Sequence, residues 1–332
     1  MYKKNGIIIL SIIFFLFFLS ACEKKSNSVK NIKSVSVKRK PEGKKSVKIK
    51  IGTFNLKFFG DTDKENNSGF GEFGKNIRES DDNLMEKIFE LIKDVDILAV
   101  QEVENKNAIS GLVDYLNNRS KSAKYKYYMY ARKSSCQNIG LIWNTKKLNG
   151  WRGYKFEKSF NIVDKTEERD IRFSRTPIYN FFEVGEVKFA VVAVHLKAKG
   201  VSEDGGKREK EAKKLVEWIE HQKIKENNEH VILIGDFNDR YTKNLDNTDL
   251  DPLIESDKSG KIIFLTKSFD ETEFYSNFGE YKGKIYNEII DHIIIAKSME
   301  NHYIKNSCKI LMHNNDKISD HNPVIAEFDF SE

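Results

Sequence analysis

The sequence predicts an α/β sandwich, with mixed β-sheets faced by helices. Three observations carry this. Strand-like runs are numerous and helix-like runs few. Hairpin signals mix with helical crossovers, which argues against an all-parallel doubly wound sheet. Beyond residue 50 there is no low-complexity break, and only four Pro occur in 332 residues, so the remainder reads as one large domain.

Residues 47–54 alternate Lys with apolar side chains and read as a first, half-buried strand. A Gly- and Asn-rich loop follows over residues 60–74. Residues 81–93 set Leu84, Ile88, Leu91 and Ile92 at helical spacing behind Asp residues that suit a helix start. Residues 95–100 form a short apolar strand, and residues 108–117 a helix. Strands are expected at 125–130 and 139–143, with Gly150 in a turn beyond. Residues 178–184 and 187–195 flank Gly185-Glu186, a hairpin signal. Residues 207–225 are a long amphipathic helix carrying Leu215, Val216, Trp218 and Ile219. The last strands are expected at 231–234, 289–295, near 303–312, and at 323–330.

The N-terminal region has a different character. Lys3 and Lys4 precede an apolar run over residues 7–19, too short to span a bilayer comfortably and suited to a secretory signal. It ends Leu19-Ser20-Ala21-Cys22, which resembles a bacterial lipoprotein signal. That resemblance implies a signal peptide over residues 1–21, lipidation of Cys22, and a domain anchored in the bacterial cell envelope outside the cytoplasm. A transmembrane anchor with an incidental Cys is the alternative. Residues 22–46 then read as the lipidated Cys22 and a basic tether. Residues 23–50 hold ten Lys and one Arg against two Glu, with no aromatic residue, so they cannot bury enough surface to fold alone. The tether either contacts anionic lipid or another polyanion, or is a solvated spacer. Taking its +9 and the +2 of residues 1–22 from the total of +6 leaves residues 51–332 at −5. The basic pI is therefore no sign of a nucleic-acid-binding body. Cys136 and Cys308 have no zinc-site spacing; they are either a disulfide, permitted outside the cytoplasm, or two buried thiols.

Chemistry gathers where strands end. The first strand ends Thr53-Phe54-Asn55 and the second Val100-Gln101-Glu102. The hairpin strand ends Val194-His195, and Ile234 leads into Gly235-Asp236-Phe237-Asn238-Asp239. Asp291-His292 opens a later strand, and Ser319-Asp320-His321-Asn322-Pro323 precedes the last. Open α/β sheets place ligands at such termini. Carboxylates and amides suit hard Mg²⁺, with Mn²⁺ as an alternative, whereas zinc would want more His or Cys at helical spacing. Each residue also has a plainer reading. Asn55, Asp236, Asn238 and Asp320 suit turns, Glu102 suits a helix start, and His195 suits a core.

Six segments in this order decide between these readings: Thr53-Phe54-Asn55-Leu56, Gln101-Glu102-Val103, His195-Leu196-Lys197, Gly235-Asp236-Phe237-Asn238, Ile290-Asp291-His292-Ile293 and Ser319-Asp320-His321-Asn322-Pro323-Val324. Together they resemble the endonuclease/exonuclease/phosphatase superfamily across residues 51–330. Phe173-Ser174-Arg175-Thr176-Pro177, before an aromatic strand, is similar to its deoxyribonuclease I branch. The resemblance implies a four-layer α/β sandwich over residues 47–332, with two mixed sheets face to face and helices outside. It implies Glu102 as the main metal ligand with Asn55 beside it, and His195 and His321 as the catalytic pair. Asp236 would orient or deprotonate the attacking water, and Asn238 would hold the phosphate. Asp291 would orient a histidine, Asp320 would do so or bind a second metal, and Arg175 would reach a substrate phosphate. In that branch a Glu pairs with the first His; here Gln137 stands in its place and is expected to hold the His195 ring.

The reading is a metal-dependent phosphodiesterase, a monomer acting on DNA. A sphingomyelinase- or phospholipase C-like enzyme or an inositol phosphatase of the same fold is the alternative. So is a surface lipoprotein that binds without catalysis. Phe58-Phe59 and Trp151 are the only candidates for bilayer insertion. Residues 199–206 are either a cleft cover or a plain connection. Asp239 reads as a turn residue and His292 as structural or cleft rim. His221, His230, His302 and His313 read as surface residues.

Overall fold

The computed structural model describes residues 46–61, 76–132, 135–150, 154–155, 173–198, 206–225, 228–242 and 248–330. The expected signal, Cys22, the tether up to residue 45, loop residues 62–74, Trp151 and residues 199–205 lie outside them.

In chain order the elements are β1 (Lys48–Phe59), α1 (Asp82–Ile92), β2 (Ile97–Val103), α2 (Lys106–Arg119), β3 (Tyr125–Met129), β4 (Asn138–Asn144), β5 (Asn149–Gly150) and β6 (Tyr154–Lys155). There follow β7 (Ile178–Val184), β8 (Val187–His195), α3 (Lys207–Lys225), β9 (Val231–Asp236), α4 (Asp251–Lys258), β10 (Ile262–Phe264), β11 (Asn277–Tyr281), β12 (Lys284–Glu288), β13 (Asp291–Ala296), β14 (Lys309–Ile310) and β15 (Val324–Asp329).

Two mixed sheets result. One has the order β14-β15-β1-β2-β4-β3 and the other β10-β13-β9-β8-β7-β5, with β6 also on β7. Strands β1 and β2 run parallel, as do β8 and β9, and their other neighbours are antiparallel. Alternation along each strand sorts side chains into layers. Ile49, Ile51, Ile97, Ala99, Val191, Ala193, Ile232, Ile234, Ile293 and Ile295 pack between the sheets. Phe54, Leu98 and Val100 point the other way, against Ile88 of α1 and Leu112 of α2. Val192, Leu233 and Ile294 meet Leu215 and Trp218 of α3 and Leu253 of α4. The architecture is thus the four-layer sandwich of two face-to-face sheets with helices outside.

The elements start where local chemistry allows. Asp81 caps α1 through Leu84 N at 2.7 Å, and Asn105 caps α2 through Ala108 N at 2.9 Å. The β7–β8 hairpin turns at Gly185 with φ +58°, as a Gly-first two-residue turn requires.

Several expectations need correction. Gly150 lies in β5 rather than a turn, and a Cβ there would sit 2.4 Å from Trp143 Nε1. The strand expected near 303–312 shrinks to Lys309–Ile310. Phe59 is buried in the core and cannot insert into a bilayer. Cys136 and Cys308 are buried free thiols, with no disulfide between them. Sequence reading also missed α4, β10 and the β11–β12 hairpin. That hairpin turns at Lys282-Gly283, φ +52° and +75°, the two positive values of a type I′ turn.

Candidate active site

Strand phase builds the site. Ile49 and Ile51 face the second sheet, so Thr53 and Asn55, two and four residues further on, continue that face past the apolar core. By the same count His195 follows Val191 and Ala193, Asp236 follows Ile232 and Ile234, and Asp291 precedes Ile293 and Ile295. Register then sets three of them side by side, because His195 pairs with Asp236 and Asp236 with Asp291. Glu102 is out of phase, since Gln101 is the residue that continues from Ile97 and Ala99 and accepts from Thr53 Oγ1 at 3.1 Å. A register shift in β2 and a φ of +57° at Glu102 bring its carboxylate to the cleft. Asn238, φ +54°, is a second non-glycine residue held in the left-handed region here, a strain that is common at functional sites.

One atom is the hub. Asp236 Oδ2 accepts from Asn55 Nδ2 at 3.0 Å and lies 3.4 Å from His195 Nε2 and 4.0 Å from His321 Nε2. Its other oxygen accepts from Asn238 N at 2.8 Å. Asn55 Nδ2 also stands 3.4 Å from Glu102 Oε1, whose second oxygen accepts from Phe58 N at 3.2 Å. Asp291 Oδ2 holds His321 Nδ1 at 2.7 Å.

Burial and charge set the protonation states. Burial pushes Asp236 up to about 7, helped by the Asp291 charge and opposed by His321, Asn55 and Asn238. His195 is pulled well below 6.5, first by burial and then by Arg175 and His321, so its ring is neutral. For His321 burial pulls down, but Asp291, Asp236 and Asp320 together outweigh it and push the ring up to about 10. Asn277 Nδ2 sits 3.0 Å from His321 Nε2 and 3.2 Å from Asp320 O. A charged His321 needs an acceptor there, so the amide must present Oδ1 and give up the Asp320 bond, a cost of about 1 kcal/mol.

Two expected residues are placed differently. Arg175 donates to Leu196 O at 3.1 Å and to Gln137 Oε1 at 2.6 Å. Gln137 therefore holds Arg175, not the His195 ring, because a guanidinium makes the stronger, charge-assisted bond. His195 Nδ1 is left without a hydrogen-bond partner among the described residues. Asp320 lies 3.4 Å from Lys57 Nζ, and the residue orienting His321 is Asp291. Asn238 Nδ2 donates to Leu196 O at 3.0 Å, which fixes its amide over the cleft.

The supporting roles of Arg78, Ser319 and Glu211 were not foreseen, whereas a structural His292 was. Arg78 donates to the carbonyls of Leu56, Lys57, Lys317 and Ile318, tying the end of β1 to the loop before His321. Ser319 Oγ donates to Asn55 O at 2.7 Å. Buried Glu211 on α3 accepts from Ser174 N and Lys197 N, next to Arg175 and just past His195. Asp239 is no mere turn residue: it is buried and paired with Arg208 of α3 at 3.1 Å. His313 is not a surface residue either. It packs against Phe54 and Phe278 and donates from Nε2 to His321 O at 2.7 Å. His292 is structural, buried between Thr266 Oγ1 (2.6 Å) and Asp239 O (3.0 Å). In sequence, Arg78, Glu211 and Asp239 show only as charged residues in polar stretches, and that signal is common.

The donor set can be tested against a hard cation. Asp236, Asp291 and His321 have ligand atoms within 4.8 Å of one another, but Asp291 and His321 are already bound to each other. Glu102 is the better fit. Its side chain is 13% exposed at the cleft, and among the described residues it has no Lys or Arg ion-pair partner. A partly open carboxylate beside an amide suits a cation that keeps several waters.

Comparison with known proteins agrees with this fold. The model of the Endonuclease/Exonuclease/phosphatase family matches residues 52–321. No curated protein matches the chain. Among solved structures, the human Nocturnin catalytic domain with bound sulfate is 15% identical, covering 86% of this chain and 97% of its own, with a TM-score of 0.56. D. rerio TDP2 complexed with single strand DNA product is 14% identical over 85% and 98%, TM-score 0.53. A mannosyl-6-phosphatase of Bacteroides thetaiotaomicron is 16% identical over 84% and 99%, TM-score 0.52. At these identities the likeness is one of fold.

Proposed function

Because the chain belongs to the endonuclease/exonuclease/phosphatase family, whose members hydrolyse phosphodiesters and phosphate esters, we propose that it is a divalent-metal-dependent phosphodiesterase that hydrolyses DNA. The observation that carries the chemistry is the convergence on Asp236 Oδ2 of Asn55, His195 and His321, with Glu102 alongside. Asp236, poised near neutrality, orients the attacking water and takes its proton. Charged His321, held by Asp291, stabilises charge gathering on the phosphoryl oxygens. Neutral His195 steadies Asp236, and Asn238 holds the phosphate. Arg175, held by Leu196 O and Gln137 Oε1, would reach a substrate phosphate. Glu102 and Asn55 would hold Mg²⁺ or Mn²⁺, which supplies Lewis-acid polarisation of a phosphate oxygen.

DNA is chosen because the family acts on nucleic acids and one fold neighbour holds a single strand DNA product. A second reading, lipid phosphodiesters, has one observation in its favour: Ile285, on the hairpin beside His321, is 79% exposed. The test is hydrolysis of plasmid DNA, phospholipids and sugar phosphates with Mg²⁺, Mn²⁺ or EDTA. DNA cleavage that EDTA abolishes and that His195→Ala and Asp236→Ala each lower by about 10²–10³ supports the proposal. Turnover of phospholipid without DNA overturns it. The same proposal has Cys22 lipidated and the domain held in the bacterial cell envelope. Its support is the sequence Leu19-Ser20-Ala21-Cys22, and a Cys22→Ala chain that stays in the membrane fraction would contradict it.

A further inference from the structure

The β11–β12 hairpin belongs to neither large sheet, yet it touches the catalytic residues. Its first residue, Asn277, pairs with His321 through a backbone bridge and reaches His321 Nε2 at 3.0 Å. The next, Phe278, donates from N to Asp320 O at 2.9 Å. Ser276 anchors the base, since its Oγ accepts from Ile290 N and Asp291 N.

Register decides which side chains look toward the site. Directly paired residues share a face, and faces alternate along a strand. Asn277 pairs with Glu288 and Gly279 with Tyr286, so Tyr286 shares the face that carries Asn277 to His321. Phe278 is on the opposite face, packed against Tyr275 and His313. Gly279 lacks a side chain, and the Tyr286 ring leans across it: a Cβ on Gly279 would lie 2.4 Å from the Tyr286 hydroxyl and 2.7 Å from its Cζ. The ring is thereby laid along the hairpin, half-buried, one strand residue beyond the groups that contact His321 and Asp320.

We propose that Tyr286 is a specificity-determining residue: a stacking ledge for a nucleobase attached to the scissile phosphate. Glycine at 279 makes the ledge by letting the ring lie flat. An aromatic plane beside a phosphate site reads any base through its π-face. This rests on the phosphodiesterase reading of the site. It adds the substrate class, a base-bearing strand, and an element of the chain that selects it.

The test separates base from backbone. Binding of two single-stranded oligodeoxynucleotides, equal in length and charge, is measured by fluorescence anisotropy without added metal; one carries bases and the other is abasic throughout. The parent should prefer the base-bearing strand. Tyr286→Ala should lower that preference by about 5- to 150-fold, the range of one base–aromatic stack, and leave abasic binding unchanged. Tyr286→Phe should retain it. Gly279→Val keeps the ring but lifts it, and should lose the preference too. A preference untouched in Tyr286→Ala and Gly279→Val overturns the ledge while leaving a nuclease that grips the backbone. Equal binding of both strands by the parent overturns it as well. Binding of neither strand removes the nucleic-acid reading and the ledge with it.

Discussion

Replacing Asp291 by Asn tests the electrostatics of the site most directly. The two side chains are nearly equal in size, so the change removes a charge and little else. Asp291 Oδ2 lies 2.7 Å from His321 Nδ1, and both groups are buried. In the parent, burial pulls the His321 ring down, while Asp291 is the foremost of the carboxylates that push it up to about 10. With Asn, Nδ1–H can still donate to the amide oxygen, but burial prevails and the ring titrates far lower. Asp236, held up by burial and then by the Asp291 charge, should titrate lower too. The sign for stability follows from linkage. A raised folded-state pKa contributes stability that is full below the ordinary value of 6.5 and is lost as pH rises through 10. Breaking a buried pair from one side costs roughly 3–5 kcal/mol, so the variant should be that much weaker at pH 6 and closer to the parent at pH 10. NMR titration of the imidazole in metal-free protein, with urea denaturation at both pH values, measures each part. Phosphodiester turnover should fall by about 10²–10³. If the His321 titration stays put and the stability loss is equal at pH 6 and pH 10, the pair is not what charges His321.

Other perturbations follow from the same geometry. Glu102→Gln should abolish the thermal stabilisation that Mg²⁺ or Mn²⁺ gives the parent, about 2.7 kcal/mol at a hundred times the dissociation constant; an unchanged metal-dependent melting shift would place the cation elsewhere. Gly235→Ala puts a Cβ 2.1 Å from Val194 O at φ +148°, so strain and overpacking should cost roughly 2–6 kcal/mol in urea denaturation and separate β9 from β8; an unmoved midpoint contradicts this. His292 is depressed to about 4 by burial, so its contribution is whole above pH 6.5 and declines as pH falls toward 4. His292→Gln should therefore narrow its stability gap to the parent by about 3 kcal/mol between pH 7 and pH 4, and parallel pH curves for the two proteins would exclude that titration.

What could be read from sequence was phase. β8, β9 and β13 are apolar on both faces, so the sequence marked buried strands with polar ends, and counting by two from the inward Val191, Ile232 and Ile295 reaches His195, Asp236 and Asp291. The same count separates Asp291 from His292, which is buried against Thr266 and Asp239 instead. Phase fails where the backbone breaks it. Glu102 reaches the cleft only through the register shift in β2, and no residue type there announces one. It fails again wherever one side chain could serve two neighbours. The resemblance put Gln137 where a Glu would pair with the first His, yet its oxygen goes to Arg175 at 2.6 Å. Which partner wins is settled by the reach of a cation, which makes the stronger, charge-assisted bond. The supporting groups Arg78, Glu211 and Arg208 escaped for a related reason, because each acts on backbone or carboxylates brought near only once the layers are stacked. Alternation within a strand is local and survives in the sequence. Partner choice is a property of the packed sandwich. It follows that a variant such as Gln137→Glu cannot be judged by residue type alone: the new carboxylate meets the Arg175 guanidinium first, and His195 Nδ1 gains a partner only if Arg175 lets go.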